Sequence, residues 1–259
     1  MVTQLNRHFF RLKLFLFFGA ASVALFSCVT APAIEKSTGA LVSIDSTLKG
    51  DSLMLAEILP YKIKIDEVMN KVIAFSEQAL SKNQPEGLLG DFTADLILKK
   101  AGEHCADSCK VDMCVLNNGG LRNPLPKGNI TISNIYQLMP FENEMAVLTM
   151  KGSDVKDMLE FIANQKGMPV AGLRMKIKNQ MASEVMIGNK PFDETKVYTV
   201  VTSDYLSEGN DQMTFFTKAT RRKLLGKKLR DAIIEYMEDE NKKGNSINVK
   251  LDGRIQIEQ

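Results

Sequence analysis

The sequence predicts a mixed α/β fold, an α/β (α+β) sandwich in which helices pack against mixed sheets. Stretches with helical spacing of apolar residues alternate along the chain with short apolar and β-branched runs that are typical of strands. The chain has 259 residues, which is enough for one domain with a full hydrophobic core. It contains no internal repeat and no low-complexity segment.

The first part of the domain is predicted to contain two helices and two strands. Residues 53–69 have helical spacing, with Pro60 as a kink or boundary. Residues 71–75 suit a strand and residues 91–101 suit a helix. The apolar run at 111–116 predicts a buried strand, which leads directly into the most informative segment of the chain.

The middle of the chain continues the alternation. Residues 133–138 predict a short helix that starts at an N-cap serine or threonine. Residues 145–150 predict a strand, and Ser153 is expected to cap a helix over 154–164.

The C-terminal part is predicted to contain four further elements. They are a hairpin over 168–186 that turns at Asn179-Gln180, a strand of β-branched residues at 197–202, a long amphipathic helix over 224–241, and a strand pair over 247–257 that turns at Asp252-Gly253.

The charge balance indicates which partners to exclude. The formal net charge is +2 for the whole chain, and the N-terminal segment contributes several of its cations. The rest of the chain is therefore close to neutral, which argues against a nucleic acid as the main partner.

The N-terminus has the layout of a bacterial export signal. Arg7, Arg11 and Lys13 precede an apolar stretch over 14–26, which is too short to span a membrane. The run Leu-Phe-Ser-Cys that ends at Cys28 resembles a lipobox, in which the cysteine is lipidated after cleavage. A plain secretory signal and an uncleaved anchor are the alternatives.

These features predict the domain organisation and the location. Residues 1–27 are interpreted as a lipoprotein signal peptide, 28–50 as a tether and N-terminal extension, and 51–259 as the folded domain. Lipid at Cys28 would hold the protein at the bacterial cell envelope, on the outer membrane or a periplasmic face. The stretch before residue 55 is too short for another domain.

A cluster of polar residues and glycines follows the strand predicted at 111–116. Asn117 and Asn118 precede Gly119 and Gly120, and Arg122 comes next. Glycines at a strand end allow a sharp turn and a close approach of the backbone to a ligand. Arg122 would place a fork of donors at the same rim, suited to a carboxylate, a phosphate or vicinal hydroxyls. An ordinary turn is the alternative.

The order of several motifs resembles one known family. Asn-Asn-Gly-Gly-Leu-Arg at 117–122 is followed by Pro-Lys-Gly-Asn-Ile-Thr at 126–131, Met-Pro-Phe-Glu-Asn at 139–143 and Val-Leu-Thr-Met-Lys-Gly at 147–152. The run from Tyr198 to Phe215 continues the pattern. Together these motifs are similar to the C-terminal, substrate-binding domain of the 5′-nucleotidases and UDP-sugar hydrolases.

The likeness also includes residues 86–96, where Leu-Gly-Asp stands for the Leu-Gly-Asn of the family, and it covers roughly residues 55–240. The resemblance implies a 5′-nucleotidase C-terminal-domain-like fold.

The resemblance also implies a binding role for particular residues. The base of a nucleoside or nucleotide would lie between the rings of Phe141 and Tyr205, and Asp211 would accept the ribose hydroxyls. Asn117, Arg122 and Asn143 would face base and sugar. With Gly119, Gly120 and Asn210 they complete the predicted substrate-binding set, and no residue is predicted to be catalytic.

Other interpretations of these residues stay open. The two rings could be core residues, Asp211 could cap a helix, and Arg122 could form a surface ion pair. Asn117 and Asn143 could satisfy turn backbone.

Three departures from the family pattern are visible. Asn118 replaces the first glycine of the usual triplet. The run Gly209-Asn210-Asp211 replaces Gly-Gly-Asp, which predicts a positive φ at Asn210. Asn83, beside Lys82, stands near a point where many family members have another arginine.

The metal-binding half of such an enzyme is not apparent. Complete members of the family have an N-terminal metallophosphoesterase domain with two metal ions and several histidines. This chain has only His8 and His104, and a dinuclear site needs more such ligands. We therefore expect no metal or other cofactor in this chain, and no activity when it acts alone.

The leading hypothesis is accordingly a nucleotide-recognition component of a split 5′-nucleotidase. A separate metallophosphoesterase chain would provide the divalent metals. The alternatives are a non-catalytic surface lipoprotein that binds nucleosides, and a domain kept as an assembly surface.

Three cysteines remain once Cys28 is assigned to lipid. A disulfide between Cys105 and Cys109 is favoured outside the cytoplasm and would leave Cys114 as a buried thiol. A metal cluster with His104 is the alternative, although the spacing fits no zinc pattern well.

A group of basic residues is predicted at the start of the last helix. A solvated face is favoured, and a docking surface for an acidic partner or an anionic lipid is the alternative. The residues are Arg221, Arg222, Lys223, Lys227, Lys228 and Arg230.

Overall fold

The structure, a computed structural model, describes residues 37, 39–45, 47–105 and 110–258. The predicted signal peptide and Cys28 lie outside the described residues, and so does Cys109. The chain divides after Ser52 into two units, and the described residues before Ser52 are exposed and belong to no helix or strand. In the part of the chain that is described, no helix combines the length and apolarity needed to cross a bilayer.

The second unit contains the alternating helices and strands that the sequence predicts. Its helices are α1 (Ser52–Met69), α2 (Leu88–His104), α3 (Ile132–Leu138), α4 (Gly152–Asn164), α5 (Asp204–Ser207) and α6 (Leu229–Lys242). Its strands are β1 (Val72–Ser76), β2 (Met113–Val115), β3 (Gly128–Thr131), β4 (Glu144–Lys151), β5 (Val170–Ala171), β6 (Leu173–Lys178), β7 (Met181–Ile187), β8 (Lys190–Pro191), β9 (Val197–Ser203), β10 (Arg221–Lys228) and β11 (Ile255–Glu258). The predicted mixed α/β class is confirmed.

A five-stranded mixed sheet forms the centre of the domain, in the order β10-β4-β9-β2-β5. Strands β2 and β9 run parallel, whereas β4 pairs antiparallel with β9. Because side chains alternate along a strand, the two faces of this sheet contribute to two different cores. Cys114 packs with residues of α2 and α6, whereas Met113 and Val115 pack with residues of α4. Burial on both faces explains why β2 and the middle of β4 are almost continuously apolar.

Two smaller sheets complete the fold. Strands β1 and β3 pair antiparallel, and a four-stranded sheet has the order β11-β6-β7-β8. The predicted hairpin turn is confirmed, because Asn179 and Gln180 have φ of 52° and 64° between β6 and β7. Two consecutive positive φ values match the twist of the flanking strands.

The predicted cap of α3 is confirmed and proves to be Thr131. Its hydroxyl accepts from the backbone N–H of Asn134, while the Asn134 side chain accepts from the Thr131 backbone N–H at 2.8 Å. The reciprocal pair satisfies two N–H groups that the first turn of a helix leaves open. The predicted cap of α4 was wrong, because α4 begins at Gly152 and Ser153 lies inside its first turn.

Two predictions for the C-terminal region were also wrong. Residues 224–228 belong to strand β10 rather than to the last helix, and β10 pairs with β4 from Arg221↔Thr149 onward. Ladder hydrogen bonds to a central strand outweigh the modest helical preference of leucine and lysine there. Residues 247–257 form no hairpin. Only β11 is a strand, and it runs parallel to β6.

A partly buried ionic network joins α2 to the loop that precedes β11. The guanidinium of Arg254 donates to both carboxylate oxygens of Asp95, at 2.8 and 2.9 Å, and to Asp252 at 3.0 Å. Glu86 accepts the backbone N–H groups of Asp252 and Gly253. These contacts fix the C-terminal strand to the helix that carries the Leu-Gly-Asp motif.

Asp91 is the anomalous member of this network. Its side chain is almost fully buried, and its Oδ2 has no hydrogen-bond partner. Burial, reinforced by the neighbouring Glu86, raises the pKa of this carboxyl from 3.8 to about 8, although the nearby Arg254 opposes the shift. The carboxyl is therefore mainly protonated at neutral pH.

We expect Asp91→Asn to stabilise the protein at pH 8. The native state holds a proton at Asp91 between pH 4 and 8 that the unfolded chain releases, so the stability contributed by Asp91 falls as the pH rises through this window. The asparagine amide is neutral at every pH, so the variant does not lose this stability as the pH rises. Its unfolding free energy at pH 8 should therefore exceed that of the parent by about 2 kcal/mol or more. Urea unfolding of both proteins at pH 5 and pH 8 measures it. Asp157→Asn, at an exposed position, is the control, and equal pH slopes for Asp91→Asn and the parent would contradict this account.

Candidate functional site

The topology of the central sheet brings distant segments to one edge. Strands β2 and β9 are parallel neighbours, so the residues that follow both strands emerge at the same side. Strand β4 runs antiparallel to β9, so the residues before β4 emerge there as well. The segment after β2, the loop before β4 and the segment after β9 therefore meet. These are the three segments that carry the predicted binding residues.

Eight of the nine predicted residues line one cleft of about 280 Å³, which we call the rim cleft. They are Asn117, Gly119, Gly120, Arg122, Phe141, Asn143, Tyr205 and Asp211. The ninth, Asn210, is not part of the lining. Its side-chain amide donates to the backbone carbonyl of Tyr205 at 2.8 Å and so supports the turn between Tyr205 and Asp211.

The two aromatic rings of the rim cleft are open to solvent. Phe141 is 45% exposed and Tyr205 is 41% exposed, and neither belongs to a hydrophobic core cluster. The interpretation of these rings as core residues is therefore wrong. Large exposed rings in a cleft with a few polar groups are typical of a ligand site.

Asp211 connects the two polar walls of the rim cleft. One carboxylate oxygen accepts from the Tyr205 hydroxyl at 2.9 Å, and the other accepts from the Asn117 amide at 2.5 Å. Because the neutral phenol donates to a carboxylate, the pKa of Tyr205 is raised. Asn117 and Asp211 are thus held together although 94 residues separate them in sequence.

The backbone around Asp211 differs from the prediction. Positive φ occurs at Gly209 (86°), Asp211 (52°) and Gln212 (65°), and not at Asn210. A side chain at Gly209 would approach the Thr217 methyl group to 2.8 Å. The left-handed conformation of Asp211 directs its carboxylate toward Asn117 and Tyr205, and aspartate tolerates this conformation better than most residues.

The glycines after β2 permit a tight turn around Asn117. A Cβ at Gly120 would lie 2.7 Å from the Asn117 side-chain oxygen. The Arg122 guanidinium donates to the Gly119 carbonyl at 3.4 Å. The backbone N–H of Arg122 donates to the Leu138 carbonyl at 2.7 Å. The guanidinium therefore forms part of the wall of the rim cleft, in place of the surface ion pair left open by the sequence.

Arg230 supports the Phe141 loop, a role that the sequence did not predict. Its guanidinium donates to the Pro140 carbonyl at 3.2 Å and to Glu142 at 2.9 Å, and it stacks on the ring of Tyr136 at 4.1 Å. Arg230 is nearly fully buried. From the sequence, Arg230 was assigned to a group of basic surface residues. Its contacts from the first turn of α6 show instead that it holds the Phe141 loop in place.

The other predicted basic residues lie mainly on β10, an edge strand. Lys228 pairs with Glu142, Lys227 with Glu235, and Arg222 with Glu208. Lysines on an exposed edge discourage pairing with another strand. Lys82, near the position of the missing family arginine, donates to the Asn118 carbonyl at 3.3 Å beside the rim cleft.

The cysteine predictions are only partly testable. Cys105 is disulfide-bonded, while its predicted partner Cys109 lies outside the described residues. Cys114 is a free buried thiol, as expected, and burial raises its pKa.

Within the described ranges, one group of three acidic side chains has the spacing of metal ligands. Glu86, Asp91 and Asp252 have carboxylate oxygens within 4.8 Å of one another. Arg254 already provides the counter-charge there, and none of the three lines the rim cleft. His104 lies 3.9 Å from Glu235, which two lysines already contact. These donors do not fit a dinuclear hydrolytic centre.

Comparison with known proteins gives the same family that the sequence motifs resemble. A family model described as "5'-nucleotidase, C-terminal domain" matches residues 66–218, which is more than half of the 259 residues. The trifunctional nucleotide phosphoesterase protein YfkN of Bacillus subtilis (strain 168) is 27% identical over 247 residues, covering 85% of this chain and 16% of that protein. A 5'-nucleotidase of Vibrio vulnificus (strain CMCP6) is 28% identical over 183 residues, covering 66% of this chain and 31% of that protein.

A solved structure has the same fold. The crystal structure of a 5'-nucleotidase precursor from Thermus thermophilus aligns with 80% of this chain and 43% of that chain, with a TM-score of 0.69 and 24% sequence identity. The chain thus spans less than a third of either relative named above and less than half of this structure.

Proposed function

This chain belongs to the family of 5′-nucleotidase C-terminal domains, and from that premise we propose that its rim cleft binds the nucleoside part of a nucleotide. The observation that carries the proposal is the convergence of two exposed rings, Phe141 and Tyr205, with the Asp211 carboxylate in one cleft. The three groups come from different segments, and a purely structural role would not leave the rings open.

The chemistry of each group suits a nucleoside. A base stacked on a flat ring gains ~1–3 kcal/mol, largely regardless of base identity. A carboxylate has about four lone-pair sites, and Asp211 uses two for Tyr205 and Asn117. The remaining sites can accept the two vicinal hydroxyls of a ribose. The donors of Arg122 suit an anionic group at the same wall.

We further propose that the protein is the recognition component of a split 5′-nucleotidase. A separate metallophosphoesterase chain would contribute the divalent metals and the hydrolytic chemistry. The observation that supports this is that the donors among the described residues do not fit a dinuclear centre. The residues of the rim cleft would bind and orient the nucleotide, and none of them transfers a proton.

Binding without catalysis is the second candidate. It is favoured by the fact that residues of this chain alone form the rim cleft. A surface lipoprotein of this kind would bind nucleosides without any partner.

For the proposed function, the first prediction concerns Phe141. We expect Phe141→Ala to weaken adenosine binding by roughly 10-fold or more, because one stacking surface is lost. Calorimetry on the purified protein measures the affinity. Phe75→Ala removes a similarly exposed ring outside the rim cleft and is the matched control. Equal affinity of the Phe141 variant and the parent would remove the stacking proposal.

The second prediction concerns the split enzyme. We expect the purified chain to hydrolyse AMP negligibly, and to raise the AMP hydrolysis of a metallophosphoesterase chain from the same organism on mixing. Rates are measured with each chain alone and with both. A brisk rate from this chain alone, or no gain with the partner, would contradict the split-enzyme proposal and leave the binding proposal standing.

The third prediction concerns location. We propose that Cys28 is lipidated and anchors the protein at the cell envelope. Growth with labelled palmitate should label the protein, and Cys28→Ala should abolish the label and release the protein from membranes. Cys114→Ala is the control. Label retained in the Cys28 variant would exclude this anchor.

A further inference from the structure

Tyr205 carries a hydroxyl that base stacking does not require. A phenylalanine ring would offer the same flat surface to a base. Because the Tyr205 ring is open to solvent, water could satisfy the hydroxyl. The hydroxyl donates instead to the Oδ1 atom of Asp211 at 2.9 Å. Since Tyr205 does not need this hydrogen bond for its own solvation, the main effect of the bond is on Asp211.

The Asp211 carboxylate is held at both of its oxygens. Oδ1 accepts from the Tyr205 hydroxyl, and Oδ2 accepts from the Asn117 side-chain amide at 2.5 Å. The torsion that turns a carboxylate about its Cβ–Cγ bond is otherwise soft. Because the two donors follow different strands, β9 and β2, and bind different oxygens, together they fix the plane of the carboxylate.

The turn between Tyr205 and Asp211 gives the hydroxyl a defined position. The Asn210 side-chain amide donates to the Tyr205 backbone carbonyl at 2.8 Å, and the Gly209 backbone N–H donates to the Leu206 carbonyl at 2.9 Å. Neither contact involves the Tyr205 hydroxyl. The backbone of the turn is therefore supported independently, and removal of the hydroxyl alone leaves these contacts in place.

Each oxygen of Asp211 keeps an acceptor site for a ligand. An ionised carboxylate has about four lone-pair sites, and the two protein donors occupy one on each oxygen. Gly119 borders Oδ2, since a Cβ at Gly119 would lie 3.9 Å from that atom. Because glycine has no side chain, this side of the carboxylate stays open. Two neighbouring hydroxyls of a cis-diol match two neighbouring acceptors on one fixed carboxylate.

We propose that the Tyr205 hydroxyl is a positioning group that fixes the Asp211 carboxylate for a cis-diol, so that the rim cleft selects ribonucleosides over 2′-deoxyribonucleosides. This inference rests on the proposed nucleoside binding and names the substrate class of that cleft. A 2′-deoxyribose has one hydroxyl fewer and leaves one acceptor site of Asp211 to water. Tyr205 thus has two separable roles, since its ring stacks on the base and its hydroxyl orients the group that binds the sugar.

The test compares the affinities of adenosine, 2′-deoxyadenosine and 2′,3′-dideoxyadenosine for the purified protein by calorimetry. We expect the parent to bind adenosine roughly 10-fold more tightly than 2′-deoxyadenosine, because a hydrogen bond to a charged group is lost with the 2′-hydroxyl. Tyr205→Phe keeps the ring and should lower this preference to about 3-fold or less. Its affinity for 2′,3′-dideoxyadenosine, which has neither hydroxyl, should stay within about 2-fold of the parent's.

Tyr61→Phe is the matched control, because it removes an exposed phenol hydroxyl outside the rim cleft and should leave the preference for adenosine unchanged. A parent protein that binds adenosine and 2′-deoxyadenosine equally would overturn the proposal. An undiminished preference in Tyr205→Phe would do so too. Equal losses of affinity for all three ligands in this variant would show that the hydroxyl only supports the cleft, and would also overturn it.

A double-mutant cycle then tests whether the hydroxyl acts through Asp211. Tyr205→Phe should weaken adenosine binding about 5-fold in the parent and less than about 2-fold in Asp211→Asn, because groups that act together are not additive. Equal losses in both backgrounds would contradict the positioning role. The results also separate this inference from the proposed function. Absent adenosine binding by the parent refutes nucleoside binding itself, whereas adenosine binding with an unchanged preference in Tyr205→Phe refutes only the role of the hydroxyl.

Discussion

The parallel pairing of β2 with β9 is the constraint on which the rim cleft depends. Met113 pairs with Val200 and Cys114 with Val201, so both strands deliver their following segments to one edge of the sheet. The first segment supplies Asn117 and the second supplies Asp211. A hydrogen bond of 2.5 Å between their side chains closes the edge. Burial of the sheet on both faces holds this register, because a slip of one residue would exchange the two cores.

The loop that carries Phe141 lines another side of the rim cleft. The Phe141 loop is tied to the start of α6 by Arg230, which contacts the Pro140 carbonyl and the Glu142 carboxylate. One ring therefore sits on a loop tied to α6, and the other sits beside β9. A flat molecule inserted between the two rings would contact one residue held by α6 and one residue held by β9. This division suits a site that must stay open to admit its ligand.

Much of the fold and of the site was predictable, and each failure has a physical reason. Strong periodicity predicted β4, α4 and β9 to within two residues. The boundary between β10 and α6 was missed because Leu224 and its neighbours suit either element, and pairing with β4 decides between them. Strand β11 was assigned to a hairpin because its partner, β6, is distant in sequence.

The candidate binding residues were predicted from motifs, and eight of the nine line one cleft. A sequence motif does not tell how far apart its side chains lie in the fold. The hydrogen bond between the Asn117 and Asp211 side chains was therefore not predictable. The role of Arg230 was also not predictable, because a cation within a run of basic residues normally has its charged group in water. A positive φ was expected at Asn210 by analogy with a glycine, whereas the chain adopts positive φ at Asp211 and Gln212.

A crystal structure of the protein with adenosine decides whether the rim cleft holds a nucleoside. We expect the base between Phe141 and Tyr205, with ring carbons about 3.5–4.0 Å from it, and the ribose hydroxyls donating to Asp211. Adenosine bound outside the rim cleft, or a rim cleft that stays empty at saturating adenosine, would contradict it.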